Sequence, residues 1–212
     1  MVRFTGGRFL IPRLSLATLR QVSLSILVGA LIAGGYGVLH DQVTFTLSAE
    51  YFTKFKFQQF AHIDFDLPDR VFVALIGLLA TWWVGAIAGW LFSRIAILPS
   101  GEPLPFSLIF RGIGLMLIFT LIGGVLGALY NELSYELHRQ FWTEYEQTLD
   151  LEDTRSYARV GQIHNFGYLG ALVGLVVVTI RLHRQKSKRI KHQSRVPQPA
   201  LPEPLDLGRS QD

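Results

Sequence analysis

VFVALIGLLATWWVGAIAGWLF, from Val71 to Phe92, carries no charged residue. A stretch of this kind is long enough to cross the hydrocarbon core of a bilayer, which takes about 20 mostly apolar residues. In a soluble helix of that length one face would be polar. The fold is therefore read in lipid rather than in water. Three further stretches repeat the pattern: QVSLSILVGALIAGGYGVL (Gln21–Leu39), GIGLMLIFTLIGGVLGALY (Gly112–Tyr130), and an apolar core from Phe166 to Ile180 that stops at Arg181. The last core is short, so its helix is expected to begin near Gln162 or Ile163. The twenty-residue leader before the first span, with no A-x-A site after it, favours a retained span over a cleaved signal. The expectation is an all-α membrane protein, a bundle of four transmembrane helices spanning about 21–40, 71–92, 107–131 and 162–181. Segments 41–70 and 132–161 lie outside, after a basic N-terminus (1–20).

Composition agrees. Half of the 212 residues are hydrophobic and 17% are charged, against about a quarter in soluble domains. The net charge is +4, and its placement matters more than its size. Arg3, Arg8, Arg13 and Arg20 precede the first span, Arg94 and Arg111 flank the second connection, and Arg181 to Arg195 follow the fourth. In 41–70 and 131–159 acids outnumber bases. Lys and Arg collect on the cytoplasmic side, so the reading is both termini inside, both long connections outside, in a bacterial inner membrane. The basic cluster is then a stop-transfer signal, with anionic lipid headgroups as a second partner, and nucleic acid is not expected. The Pro-rich end of 183–212 reads as a disordered tail. Without cysteine there is no disulfide, thiolate ligand or thiol nucleophile. No G-x-S-x-G is present, and the GxG at Gly112–Gly114 sits inside a span.

Helices in lipid meet through small residues. At 100° per residue Ser25, Gly29, Ala33, Tyr36 and His40 share a face of the first span. Ala74, Gly77, Thr81, Gly85, Ala88 and Gly89 do so on the second, Gly124, Gly127, Ala128 and Asn131 on the third, and Gly167, Ala171 and Gly174 on the fourth. Trp82, Trp83 and Trp90 lie off that stripe, facing lipid or another subunit, either a membrane-protein partner or a second copy.

Followed outward, these stripes bring polar groups to one mouth, where ionisable residues at membrane depth mark a functional region. The candidate ligand-binding residues are His40, Asp41, Gln42, Glu50, Arg70, Asn131, Glu132, Glu136, His164 and Asn165. Three readings stay open. Arg70 pairs with Glu132 or Glu136 and the mouth is structural, in a non-enzymatic component that binds a ligand or partner. Alternatively, His40 and His164 with Glu132 or Glu136 hold zinc, iron or manganese, as in a metal-dependent membrane enzyme; Glu136 and His138 form E-x-H rather than the E-x-x-H of bundle sites. In the third reading the histidines and acids carry protons or ions, although the spans below hold little polar material. No cofactor is called for by the first reading.

HDQVTFTLSAEYFTKFKFQQF (His40–Phe60) interleaves aromatics with lysines, which suits the headgroup boundary. Ser48 can cap a helix with Glu50 in its first turn, while Lys54 and Lys56 alternate with Phe55 and Phe57 as in a strand; the segment is expected to lie over the mouth. Leu133, Leu137, Phe141 and Tyr145 keep helical spacing and are expected to cover it. The pattern H-D-Q-[IV]-T, then S-x-E-Y-F-T and a Phe/Lys-rich end, resembles a hallmark of small uncharacterised bacterial multi-pass membrane proteins. HNFGYLGALVGL (His164–Leu175) resembles a second element of that group. Together they cover under a fifth of the chain, and the resemblance implies no activity.

Overall fold

The computed structural model describes residues 15–98 and 103–194. The basic N-terminus up to residue 14 and the Pro-rich tail from residue 195 lie outside the described residues. Every described element is helical. Four helices are long and apolar enough to cross a membrane: α1 (Leu16–Leu47), α2 (Asp69–Ala96), α3 (Phe106–Ser134) and α5 (Thr154–Gln193). Between α3 and α5 lies the short helix α4 (Arg139–Leu149).

Local chemistry sets the ends. Ser15 caps α1 and Asp153 caps α5, each accepting a backbone N–H of the first turn. Pro68 and Pro105 precede α2 and α3, where a missing N–H costs nothing. Asp150 takes the left-handed conformation that ends α4. Helix α5, at 40 residues, is about 60 Å long, roughly twice the hydrocarbon thickness. It stays helical through the basic cluster as far as Gln193.

The helices associate as two antiparallel pairs, α1 with α2 and α3 with α5. In the first pair a Cβ on Gly29 or Gly85 would overlap the other's carbonyl, and the same holds for Gly37 and Gly77. The Thr81 hydroxyl spans this seam to the carbonyl of Ala33, 2.8 Å away. In the second pair Gly123 faces the Phe166 carbonyl, Gly127 that of Gln162, and Gly170 that of Phe119. With no room for side chains, backbones approach closely and dispersion holds them together. Two stripes differ from the sequence reading. The α1 seam runs Ser25, Gly29, Ala33 and Gly37, whereas Tyr36 and His40 turn toward the space between the pairs. On α3 the tightest contacts fall at Gly123 and Gly127 rather than Gly124. An i, i+4 ladder and an i, i+3 ladder drift apart over several turns, and the first matches these seams.

Away from the cap the pairs close on one apolar cluster that includes Phe92, Ile109, Ile113, Met116, Val178 and Leu182. At the other end the chain after α1 folds back as a cap. Ser48 Oγ accepts the N–H of Tyr51, and helical turns Ala49–Tyr51 and Phe57–Gln59 flank a π-helical turn, Phe52–Lys56. The segment is helix, not strand. Tyr51 and Phe52 bury themselves with Val73, Leu151, Tyr157 and Val160. Both Glu50 oxygens tie the cap to the start of α5, accepting the N–H groups of Glu152 (2.8 Å) and Asp153 (2.9 Å). The expected stripe Leu133, Leu137, Phe141 and Tyr145 does not cover the cap; all four residues are exposed. The chain breaks at Tyr135 into a 3₁₀ turn, Glu136–His138. This turns Trp142 and Leu149 of α4 toward the cap instead.

Candidate functional site

Three elements place titratable groups beneath the cap. The last turns of α1 present Tyr36 and His40, one helical turn apart, and Asp41 beside them. Helix α5 presents His164, and the π-helical turn presents Lys56. Asp41 and His164 are each 4% exposed and Lys56 is 6% exposed. Phe52 and Lys56, one helical turn apart at the two ends of the π-helical turn, are both buried.

The two histidine rings meet edge to face, with centroids 4.9 Å apart. Tyr51 of the cap stacks on His164 at 5.0 Å. The Tyr36 hydroxyl is 3.1 Å from His40 Nδ1. His164 Nδ1 lies 2.9 Å from the Val160 carbonyl. A carbonyl only accepts, so Nδ1 carries the hydrogen and Nε2 is the other, separately addressed nitrogen. Nε2 is 3.3 Å from Asp41 Oδ1. In neutral imidazole that nitrogen is a lone pair, and it faces a carboxylate oxygen. Two acceptors turned on each other in a buried place require a cation between them, a proton at the least.

Lys56 adds a second buried charge. Its ammonium lies over the Phe60 ring, 5.9 Å from the centroid, and among the described residues it makes no hydrogen bond or ion pair. Burial lowers its pKa, and the Asp41 carboxylate acts in the opposite direction. Burial likewise raises the pKa of the Tyr51 phenol.

These groups form one end of a cavity of about 100 Å³ between the helix pairs. Below them its walls become apolar, through Ile32, Val84, Ile113, Leu117 and Ala171. On its flank a wider groove of about 460 Å³, lined by Trp83, Ile87, Leu172 and Leu175, opens between α2 and α5. Cavity and groove share Ala80, Val84, Met116, Tyr168 and Ala171. The site therefore adjoins the surface that a bilayer would cover.

Of the residues expected at the mouth, the structure gathers His40, Asp41 and His164. Arg70 does not pair with Glu132 or Glu136. It reaches the carbonyl and side chain of Gln42 and the hydroxyl of Thr46, and stacks over Phe45 at 4.9 Å. Gln42 returns a bond to the Arg70 carbonyl (2.7 Å). Glu132 is held by Arg155 and Arg159 of α5, and Glu136 by Arg139, 3.2 Å away. Neither acid joins the histidines, because α3 meets α5 through the seam that also buries Asn131, which donates to the Arg155 carbonyl. Glu50 is engaged with backbone N–H groups, and Asn165 lies exposed beside His164. Tyr36 and Tyr168 stand one turn from His40 and His164, a spacing visible in the sequence. Lys56 stands one turn from the buried Phe52 in the same way, but a lysine among aromatics reads equally as a headgroup contact.

Comparison with known families, with curated proteins and with solved structures gives no match for this chain.

Proposed function

We propose that the chain is an integral protein of a bacterial inner membrane, with both termini in the cytoplasm, that binds a membrane amphiphile by an anionic head. Four helices long and apolar enough to span a bilayer and the distribution of Lys and Arg along the sequence support the location and orientation. The ligand class rests on one observation: the buried, unpaired ammonium of Lys56 stands at the polar end of an otherwise apolar cavity with an apolar groove on its flank. A buried charge without a partner is costly, and a carboxylate or phosphate head offsets it. The groove then takes the apolar chain from the bilayer. The reading is of a binding protein, and we assign it no reaction.

Ion transport is less well supported. The hydroxyls of Thr81 and Thr120, below the mouth, are spent on backbone carbonyls, and the cavity walls between them are apolar. A permeating ion would need polar groups there.

Thermal unfolding of the full chain in detergent tests the proposal. Oleate or phosphatidylglycerol is expected to raise Tm, the stronger of the two identifying the head as carboxylate or phosphate. Neutral monoolein is expected to do much less. Lys56→Gln should remove the difference. Equal stabilisation by monoolein, or an unchanged response in Lys56→Gln, contradicts it.

A further inference from the structure

The same buried cluster supports a second kind of ligand. We infer that His40, Asp41 and His164 form a binding site for a divalent transition-metal ion of the zinc, iron or manganese class. One potential ligand atom from each of the three residues lies within 4.8 Å of the others. Two imidazoles and one carboxylate suit these ions and leave coordination positions open.

The surroundings are those that metal-binding histidines need. A ligating imidazole uses its second nitrogen to donate to a fixed acceptor, which sets tautomer and orientation. His164 does this toward the Val160 carbonyl, so Nε2 is left as a lone pair aimed at Asp41. The Tyr36 hydroxyl oxygen offers His40 Nδ1 the same kind of acceptor. Facing lone pairs on Nε2 and Oδ1 need a cation, and the third donor, His40, stands beside them with its ring against His164. A shared proton would engage Asp41 and His164 but not the Nε2 nitrogen of His40, whose Nδ1 faces the Tyr36 hydroxyl. A metal ion engages all three. Glu132 and Glu136 take no part, being engaged by arginines.

The charges are consistent. A divalent ion bound by two neutral imidazoles and one carboxylate retains one positive charge. Lys56 adds another, so the open positions favour an anionic group. The inference rests on the cavity proposed above as a ligand site, but not on the identity of the amphiphile.

The full chain, purified in detergent, is first analysed for metal and then stripped by chelation and titrated with Co²⁺. We expect near-stoichiometric zinc, iron or manganese on isolation, and one equivalent of Co²⁺ giving visible absorption bands. Those bands should be lost in His164→Ala and in Asp41→Asn, persist in Glu132→Gln, and weaken in affinity about tenfold in Tyr36→Phe. Should His164→Ala fail to fold, Asp41→Asn, which keeps the side-chain volume, and His40→Gln decide the matter. A chain that holds no stoichiometric metal and gives no Co²⁺ bands overturns the inference, as do bands that persist in Asp41→Asn. If such a chain still responds to oleate or phosphatidylglycerol through Lys56, only the metal site falls. Metal bound in a chain with no amphiphile response supports the site and contradicts the amphiphile reading instead.

Discussion

The seams within the two helix pairs and the space between the pairs are built from different material. Along the seams, glycines bring backbones so close that no side chain fits, as at Gly29 and Gly85 or Gly127 and Gln162. Between the pairs, side chains do the packing. They succeed at one end, around Phe92 and Met116, and leave a cavity at the other, beneath the cap. The buried Asp41, Lys56 and His164 and the half-buried His40 lie in that second place. Glycine seams need no polar chemistry, and it is the buried charge away from them that the proposal treats as a binding site.

The seam half of this comparison can be broken with single methyl groups. Gly85→Ala puts a Cβ into the Gly29 carbonyl, and backbone cannot yield as a side chain can. A loss of about 3 kcal/mol is expected, read by thermal or denaturant unfolding in detergent. Gly35→Ala, on α1, meets nothing within 4 Å and should instead gain up to about 1 kcal/mol from helix propensity. Equal effects at the two positions would mean that the seam is not a tight contact.

The cap half is probed by smaller effects. Glu50→Gln weakens two charge-assisted bonds to backbone N–H groups, at an expected cost of about 1.5 kcal/mol. Hydrogen exchange should accelerate in the cap and at the start of α5, with the seams unchanged. Asp153→Ala removes the α5 cap and should cost about 1 kcal/mol. The Asp153 carboxyl is held below its usual value of 3.8, chiefly by its hydrogen bonds to Ser156. Its contribution is therefore complete above pH 3.8 and is lost as pH falls through the lowered pKa. A pH titration of stability on wild type and Asp153→Ala should show the difference between them shrink only in acid.

The helices themselves were legible because lipid imposes length and apolarity on every span. The polar mouth was legible for His40, Asp41 and His164, since helical spacing carries each to the same end. Pairing was harder. Glu132 and Glu136 look like ligands from spacing alone, but Arg155, Arg159 and Arg139 claim them, and a choice among nearby partners is made by tertiary packing. The stripe from Leu133 to Tyr145 does not hold as one face because the 3₁₀ turn at Glu136–His138 interrupts it and re-aims Phe141 and Tyr145. Lys56 is not singled out by spacing, because lysines interleaved with aromatics also suit the headgroup boundary. Short irregular turns leave little trace in a hydrophobic pattern, yet here they set how the chain packs around the cap.

Native mass spectrometry of the full chain released from bilayer nanodiscs tests the central claim most directly. The account predicts one retained amphiphile with an anionic head per wild-type chain, absent from Lys56→Gln of unchanged Tm in the absence of added lipid. A chain that emerges bare, or that retains the same amphiphile without Lys56, would contradict it.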